Sequence, residues 1–484
     1  MILLLVAVLA QSPSQSPTLT SAVRARTLLS DALAAMGGRA AIESLAVTRE
    51  YAGTRTDAGQ NVREPKPGER PEINGRPRLM RFRNYRTGDL VDITADTIPG
   101  GQPFSLRYVA RGDSGFSFMY DAATLRRTPP PSPAVWRAFF QNEDVEGLLL
   151  SAWRQQGTAR AIGPSVIVFT DAAQTTTTIY FDASTHLPLK SETLSDDAVR
   201  GDVVTETRYS DWRAAGGLKL PYAIETRING APLQRLQLEA LRFGAAVPDS
   251  LWRIPDEAVP VSSPPSTPVA LGSDVYLVPN RYQSVFVVFD DYVLVLEPGG
   301  SPGDARATIA AVRQIAPTKP IRYVVASHAH FDHLAGAREY VSIGATFVTT
   351  PAAARVIQRA SKAEHLMRPD SLSRHPRDPL IETMTEDVRV FRDATHEVRV
   401  YQLGPTTHVD AMLFAYVPAT KTLFVADALD IPEPGHVRMG GEDTQHLADR
   451  IAELKLDVER IVPVHGRMGT MADLNAAVAK RTRQ

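Results

Sequence analysis

Apolar residues along this chain follow two rhythms, one before and one after a proline-rich stretch near residue 260. Near the start, Leu29, Leu33 and Met36 fall on one helical face, and Gly37-Gly38 ends the run. The remainder of the first part reads mostly as strand. Residues 165–170, 175–182 and 203–209 are rich in β-branched and aromatic side chains. Residues 222–228 run into Asn229-Gly230, and an alternating run then passes through Leu236 and Leu238, which predicts a hairpin. Polar, proline-containing loops at 61–77 and 129–133 interrupt the pattern. Beyond residue 268, short apolar runs alternate with amphipathic helices. Ala305, Ile309 and Val312 mark one helical face, and Leu447, Ile451 and Leu454 mark another. Strands inside and helices outside predict a four-layer αββα sandwich for this part.

At 484 residues the chain is too long for one core. The expected division is a start segment at 1–18, a β-rich domain at 19–254, a linker at 255–270 and a second domain at 271–484. The linker is read from five prolines between Pro255 and Pro268, with Ser262-Ser263 and few large apolar groups, which makes a stiff, solvated connection. Residues 2–10 are wholly apolar and Val8-Leu9-Ala10 resembles a signal-peptidase site. The run is shorter than the roughly 20 residues a membrane-spanning helix needs. The chain is therefore expected to be exported to the periplasm or outside the cell, with no integral membrane segment.

Charge and composition narrow the function classes. The formal net charge is −1 and no basic cluster stands out, so a nucleic-acid partner is not expected. There is no cysteine, so no thiolate can serve as a metal ligand or nucleophile. Of eleven histidines, only His186 precedes residue 268. Tyr323-Val324-Val325-Ala326 reads as a buried strand, and His-Ala-His-Phe-Asp-His follows at 328–333. Three imidazoles and a carboxylate within one turn can hold transition-metal ions, and a strand end puts them at a mouth. Three further strand-like runs end likewise: 398–403 before His408, 423–426 before Asp427, and 460–464 before His465. His365, His375, His396, His436 and His446 lie outside this set and read as ordinary polar residues, with a place on a substrate cleft left open for His436. Asp410 and Asp430 flank candidate ligands and read as supporting residues.

H-x-H-x-D-H, then a loop His, a strand-end Asp and a His in Pro-x-His-Gly together resemble the metallo-β-lactamase-fold metallo-hydrolase superfamily, over residues 271–484. The resemblance implies the αββα sandwich and a dinuclear centre. In it, His328, His330 and His408 form one metal site, Asp332, His333 and His465 form the second, and Asp427 bridges them. It also implies that the acidic residue after the first strands, usually Asp and here Glu297, supports the site without ligating. Two divalent ions about 3.5–4 Å apart would share a water and lower its pKa toward neutrality. The resulting hydroxide would attack an ester, thioester, lactone or related carbonyl of a small molecule, with Asp332 as the catalytic residue that orients it. Zinc suits N and O ligands, and iron or manganese fit the same set. A carboxylate at Asp427 looks more like the thioesterase, lactonase and phosphodiesterase branches than like penicillin-type β-lactamases. β-Lactam or phosphodiester hydrolysis, iron-dependent sulfur dioxygenation, and a ligand-binding protein with an inactive metal site remain the alternatives. The stretch 351–392 is expected to form the rim that selects the substrate.

In the first half, Tyr209-Ser210-Asp211-Trp212-Arg213 through Leu220-Pro221-Tyr222 resembles periplasmic lipoprotein-carrier-like domains. That resemblance implies a curved antiparallel sheet around a helix, with room for an apolar ligand. The expected whole is a two-domain α+β protein.

Overall fold

In the computed structural model, the described residues are 16–56, 59–63, 69, 72–97, 103–120, 125–128, 133–244, 246–260 and 267–481. The apolar start at 2–10 and the centre of the proline-rich stretch lie outside them. Two sheet systems divide the chain, giving a two-domain α+β architecture.

The N-terminal part is a 14-stranded sheet made of two meanders that meet in the middle. One runs outward from Ala46–Arg55 to Leu125–Thr128, and the other runs inward from Arg160–Gly163 to Ala231–Phe243. The two join where Ala46–Arg55 pairs antiparallel with Ala231–Phe243. The predicted hairpin forms at Asn229 (φ 48°) and Gly230 (φ 80°), whose positive φ values suit a two-residue turn between right-twisted strands. The helix Pro17–Ala35 buries Ala25, Leu29 and Leu33 against Val145–Arg154 and the sheet residues Phe169, Ile179, Leu220 and Leu236. The apolar space between sheet and helices is thus filled by the chain's own side chains. Within the proline-rich stretch, Val259–Pro260 adds to the outer edge of this sheet, parallel to Arg126–Arg127.

The C-terminal part packs a seven-stranded sheet against a five-stranded one. A single apolar cluster runs from Val285, Leu294 and Val325 of the first sheet to Val400, Phe414 and Val462 of the second. Helix Pro302–Ile315 covers the outer face of the first sheet through Ala305, Ile309 and Val312. Helix Glu442–Glu453 covers the second through Leu447 and Ile451. This is the αββα arrangement. Central strands such as Val293–Leu296 are buried along their whole length, which is why they read as unbroken apolar runs. None of the described helices is long and apolar enough to cross a membrane.

Among the described residues, two contacts between the parts stand out. The turn after Pro188–Asp197 docks on 364–366: Asp202 N donates to Glu364 O at 2.7 Å, and His365 Nδ1 lies 2.6 Å from Asp196 Oδ1. The second contact is at the candidate site.

Candidate metal centre

Each predicted ligand stands just past the end of a strand, on the rim where the two C-terminal sheets open. Ile321–Ala326 delivers the 328–333 turn, Glu397–Gln402 leads toward His408, Thr422–Val425 ends before Asp427, and Arg460–Pro463 ends before His465. Gly336 allows the turn to sit close to the sheet, because an added Cβ would lie 2.1 Å from Pro298 O.

These loops bring all seven candidates together in two groups. His328, His330, His408 and Asp427 each offer an atom within 4.8 Å of the others, as do Asp332, His333 and His465. Asp427 faces both groups. Its Oδ2 lies 3.2 Å from His408 Nε2 and 4.0 Å from His328 Nε2, while Oδ1 lies 2.8 Å from His333 Nε2 and 3.1 Å from His465 Nε2. Nε2 of His333 and Nε2 of His465 are themselves only 3.3 Å apart.

Buried polar atoms are normally hydrogen-bonded, so orphans call for a ligand. The buried atoms without a hydrogen-bond partner include His328 Nε2, His330 Nδ1 and His408 Nε2. All three belong to the first group. In two of these rings the opposite nitrogen is engaged: His328 Nδ1 with Ser327 Oγ at 2.9 Å, and His330 Nε2 with Asn61 O at 3.1 Å. In His333 it is Nδ1 that faces a carboxylate, Oε1 of buried Glu297, at 3.3 Å. Rings anchored on one nitrogen and bare on the other are oriented as metal ligands are. The donor set therefore fits divalent cations.

The electrostatics agree. Burial and the neighbouring imidazoles push His328 well below its usual value and His330 down to about 3, so both rings stay neutral. Burial also acts to lower His333 and His408, but Asp427 raises both. Asp427 itself, despite burial, is held well below the usual carboxylate range by His333 and His465. A field that draws protons onto imidazoles facing an ionised carboxylate also draws metal cations.

Residues 278–465 match the metallo-beta-lactamase superfamily. Solved structures similar to the chain include metallo-beta-lactamases. One from Pontibacter korlensis is 17% identical, covering 45% of this chain and 99% of its own, with a TM-score of 0.33. FIM-1 from Pseudomonas aeruginosa, in its mono-zinc form, is 15% identical over 45% of this chain and 95% of its own, with a TM-score of 0.34. No curated protein gives a significant match.

The C-terminal domain does not enclose the site alone. A cleft of about 540 Å³ lies over Asp332, Asp427 and His465, and its far wall is the N-terminal sheet, through Arg55, Thr94, Phe104, Met119 and Arg126. Tyr282 closes one side, its ring centroid 4.9 Å from that of His465. Sequence reasoning assigned the rim to 351–392, yet no residue of that stretch lines this cleft. Its helix Pro351–Lys362 packs under the sheet, and His365 ties it to the N-terminal part. Asp430 pairs with Arg438 on the cleft wall. His396 sits with Asp274 and Asp393 in a separate polar cluster. Gln60, Asn61 and Tyr282 are the site neighbours the sequence did not reveal. Their only signal is position, in loops with no periodicity.

Proposed function

We propose that this protein is a metal-dependent hydrolase acting on a small-molecule ester, thioester, lactone or related carbonyl compound. The observation that carries the reading is Asp427, whose two oxygens are divided between two groups of imidazoles. In this reading His328, His330 and His408 hold one cation, Asp332, His333 and His465 hold another, and Asp427 lies between. Zinc is the proposed ion, on the chemistry of its N and O donors. Bound there, two such cations supply Lewis acidity and an acidified water. Asp332 lines the cleft and orients the attacking water. Tyr282, whose hydroxyl is raised by burial and by Asp332, stays protonated as a donor at the cleft wall. The absence of cysteine and the carboxylate at Asp427 favour carbonyl esters over β-lactams as substrates. The cleft volume suits a small molecule.

The test is metal content by emission spectrometry, beside a panel of thioester, lactone, β-lactam and phosphodiester substrates. The expected result is about two equivalents of metal, with turnover of a thioester or lactone that His330→Ala abolishes. Metal near zero, or full metal with no turnover across the panel, would favour a ligand-binding protein.

A further inference from the structure

The N-terminal domain reaches into the metal centre through four consecutive residues. Gly59 O accepts from Phe331 N at 3.0 Å, Gln60 Nε2 donates to Asp332 Oδ1 at 2.7 Å, and Asn61 O accepts from His330 Nε2 at 3.1 Å. Val62 O then accepts from Asp410 N at 2.8 Å, two residues past His408. Three consecutive residues of the ligand turn are thus bonded to three consecutive residues of another domain, about 270 positions away. The strip is itself tied to the sheet. Asn74 Nδ2 donates to Gln60 O and to Asn61 Oδ1, both at 3.2 Å, and Asn74 N donates to Arg55 O at 3.0 Å. Gly59 packs closely on the turn, since a Cβ there would lie 2.9 Å from Phe331 Cδ1.

We propose that Gln60 is a positioning residue for Asp332, and that the Asn61 carbonyl fixes the tautomer of His330, so that the metal centre is built by both domains. The chemistry is direct. A carbonyl only accepts, so His330 carries its proton on Nε2 and presents a bare Nδ1 to the group it shares with His328 and His408. Gln60 occupies one oxygen of Asp332 and sets the direction of the other, as a partner behind a ligating carboxylate does. Without that hydrogen bond, Asp332 has freedom to rotate in the cleft. The inference rests on the metal reading of the site.

The experiment uses the full chain with Gln60→Met, which keeps length and volume but has no N–H, and Gln60→Ala as a second variant. Zinc affinity is measured by chelator competition, and the visible spectrum of the cobalt-loaded protein reports ligand geometry. Expected is a loss of roughly 10–100-fold in affinity for one equivalent only, with an altered cobalt spectrum at that equivalent and an unchanged melting temperature of the metal-free protein. Wild type binding two equivalents, with both variants matching it in affinity and spectrum, would overturn this inference alone. A wild type that binds neither metal would overturn the metal reading, and this inference with it.

Discussion

Oε1 of Glu297 lies 3.3 Å from Nδ1 of His333, with both side chains almost wholly buried. Glu297 takes a positive φ of 74°, an unusual backbone state for a side chain of this size, so the strand end is bent to aim it. A carboxylate behind an imidazole fixes the ring and raises its basicity as a ligand. If the centre holds two zinc ions as proposed, Glu297→Ala should weaken the binding of one of them by about 10–100-fold, and Glu297→Gln, which keeps an acceptor at the same reach, should lose less. Chelator competition on the two variants checks this. Equal affinities in wild type and Glu297→Ala would remove Glu297 from the site.

Asp427 belongs with His328, His330 and His408 and also faces His333 and His465 of the other group, whereas His465 lies in that other group alone. After dialysis, His465→Ala should retain about one equivalent of metal and Asp427→Ala less than one, since the latter also strips negative charge from the first group. Emission spectrometry decides. If Asp427→Ala holds as much metal as His465→Ala, the carboxylate does not serve both groups.

Locality explains which features were legible in the sequence. The 328–333 motif and the candidate ligands at 408, 427 and 465 announce themselves because each adjoins an apolar strand, and strand and candidate are read together. Leu29, Leu33 and Met36 were readable for the same reason. Gln60 and Asn61 were not, because their role depends on a contact with residues some 270 positions later. Arg49, Arg81 and Arg83 pass for sheet-surface residues, yet all three are buried, each facing an acid drawn from another element. Val259–Pro260 joins a sheet edge within a stretch whose prolines read as linker. An edge tolerates proline because one side of the strand needs no ladder bonds.

Arg338 and Asp370 predict a pH response outside the candidate metal cluster. Arg338 Nη2 bonds Asp370 Oδ1 at 3.0 Å, Nε bonds the other oxygen, and Asp370 also accepts from Ser373 N at 2.7 Å. Burial acts to raise Asp370, but Arg338 and the Ser373 hydrogen bonds hold it well below the usual range. A carboxyl depressed in the folded state stabilises above its unfolded value, about 3.9, and this is lost as pH falls through the lower folded value. Asp370→Asn should therefore cost about 1–3 kcal/mol at pH 7, with the gap to wild type narrowing as the pH is taken below 4. Urea unfolding of chelator-treated protein at pH 7 and pH 3 measures both. A gap equally wide at the two pH values would contradict the assignment.

Arg49 and Glu146 tie the N-terminal sheet to the helix Val145–Arg154. Nη2 and Oε1 lie 2.6 Å apart, with side chains 3% and 2% exposed. Burial and the charge of Glu146 act in opposite directions on Arg49, and the outcome is a guanidinium held well above its usual value. Removing only the acid leaves a buried cation, so Glu146→Ala should cost about 3–5 kcal/mol. Asp144, whose charge also acts on Arg49, moderates that loss. Replacing both members by apolar side chains of similar volume, as in Arg49→Met with Glu146→Leu, removes the desolvation cost along with the attraction. The double variant should recover most of the loss. Urea midpoints of Arg49→Met, Glu146→Leu and the double variant form the cycle. If the double variant is as unstable as Glu146→Ala, the pair contributes more than its desolvation costs, and this network stabilises the domain through charge.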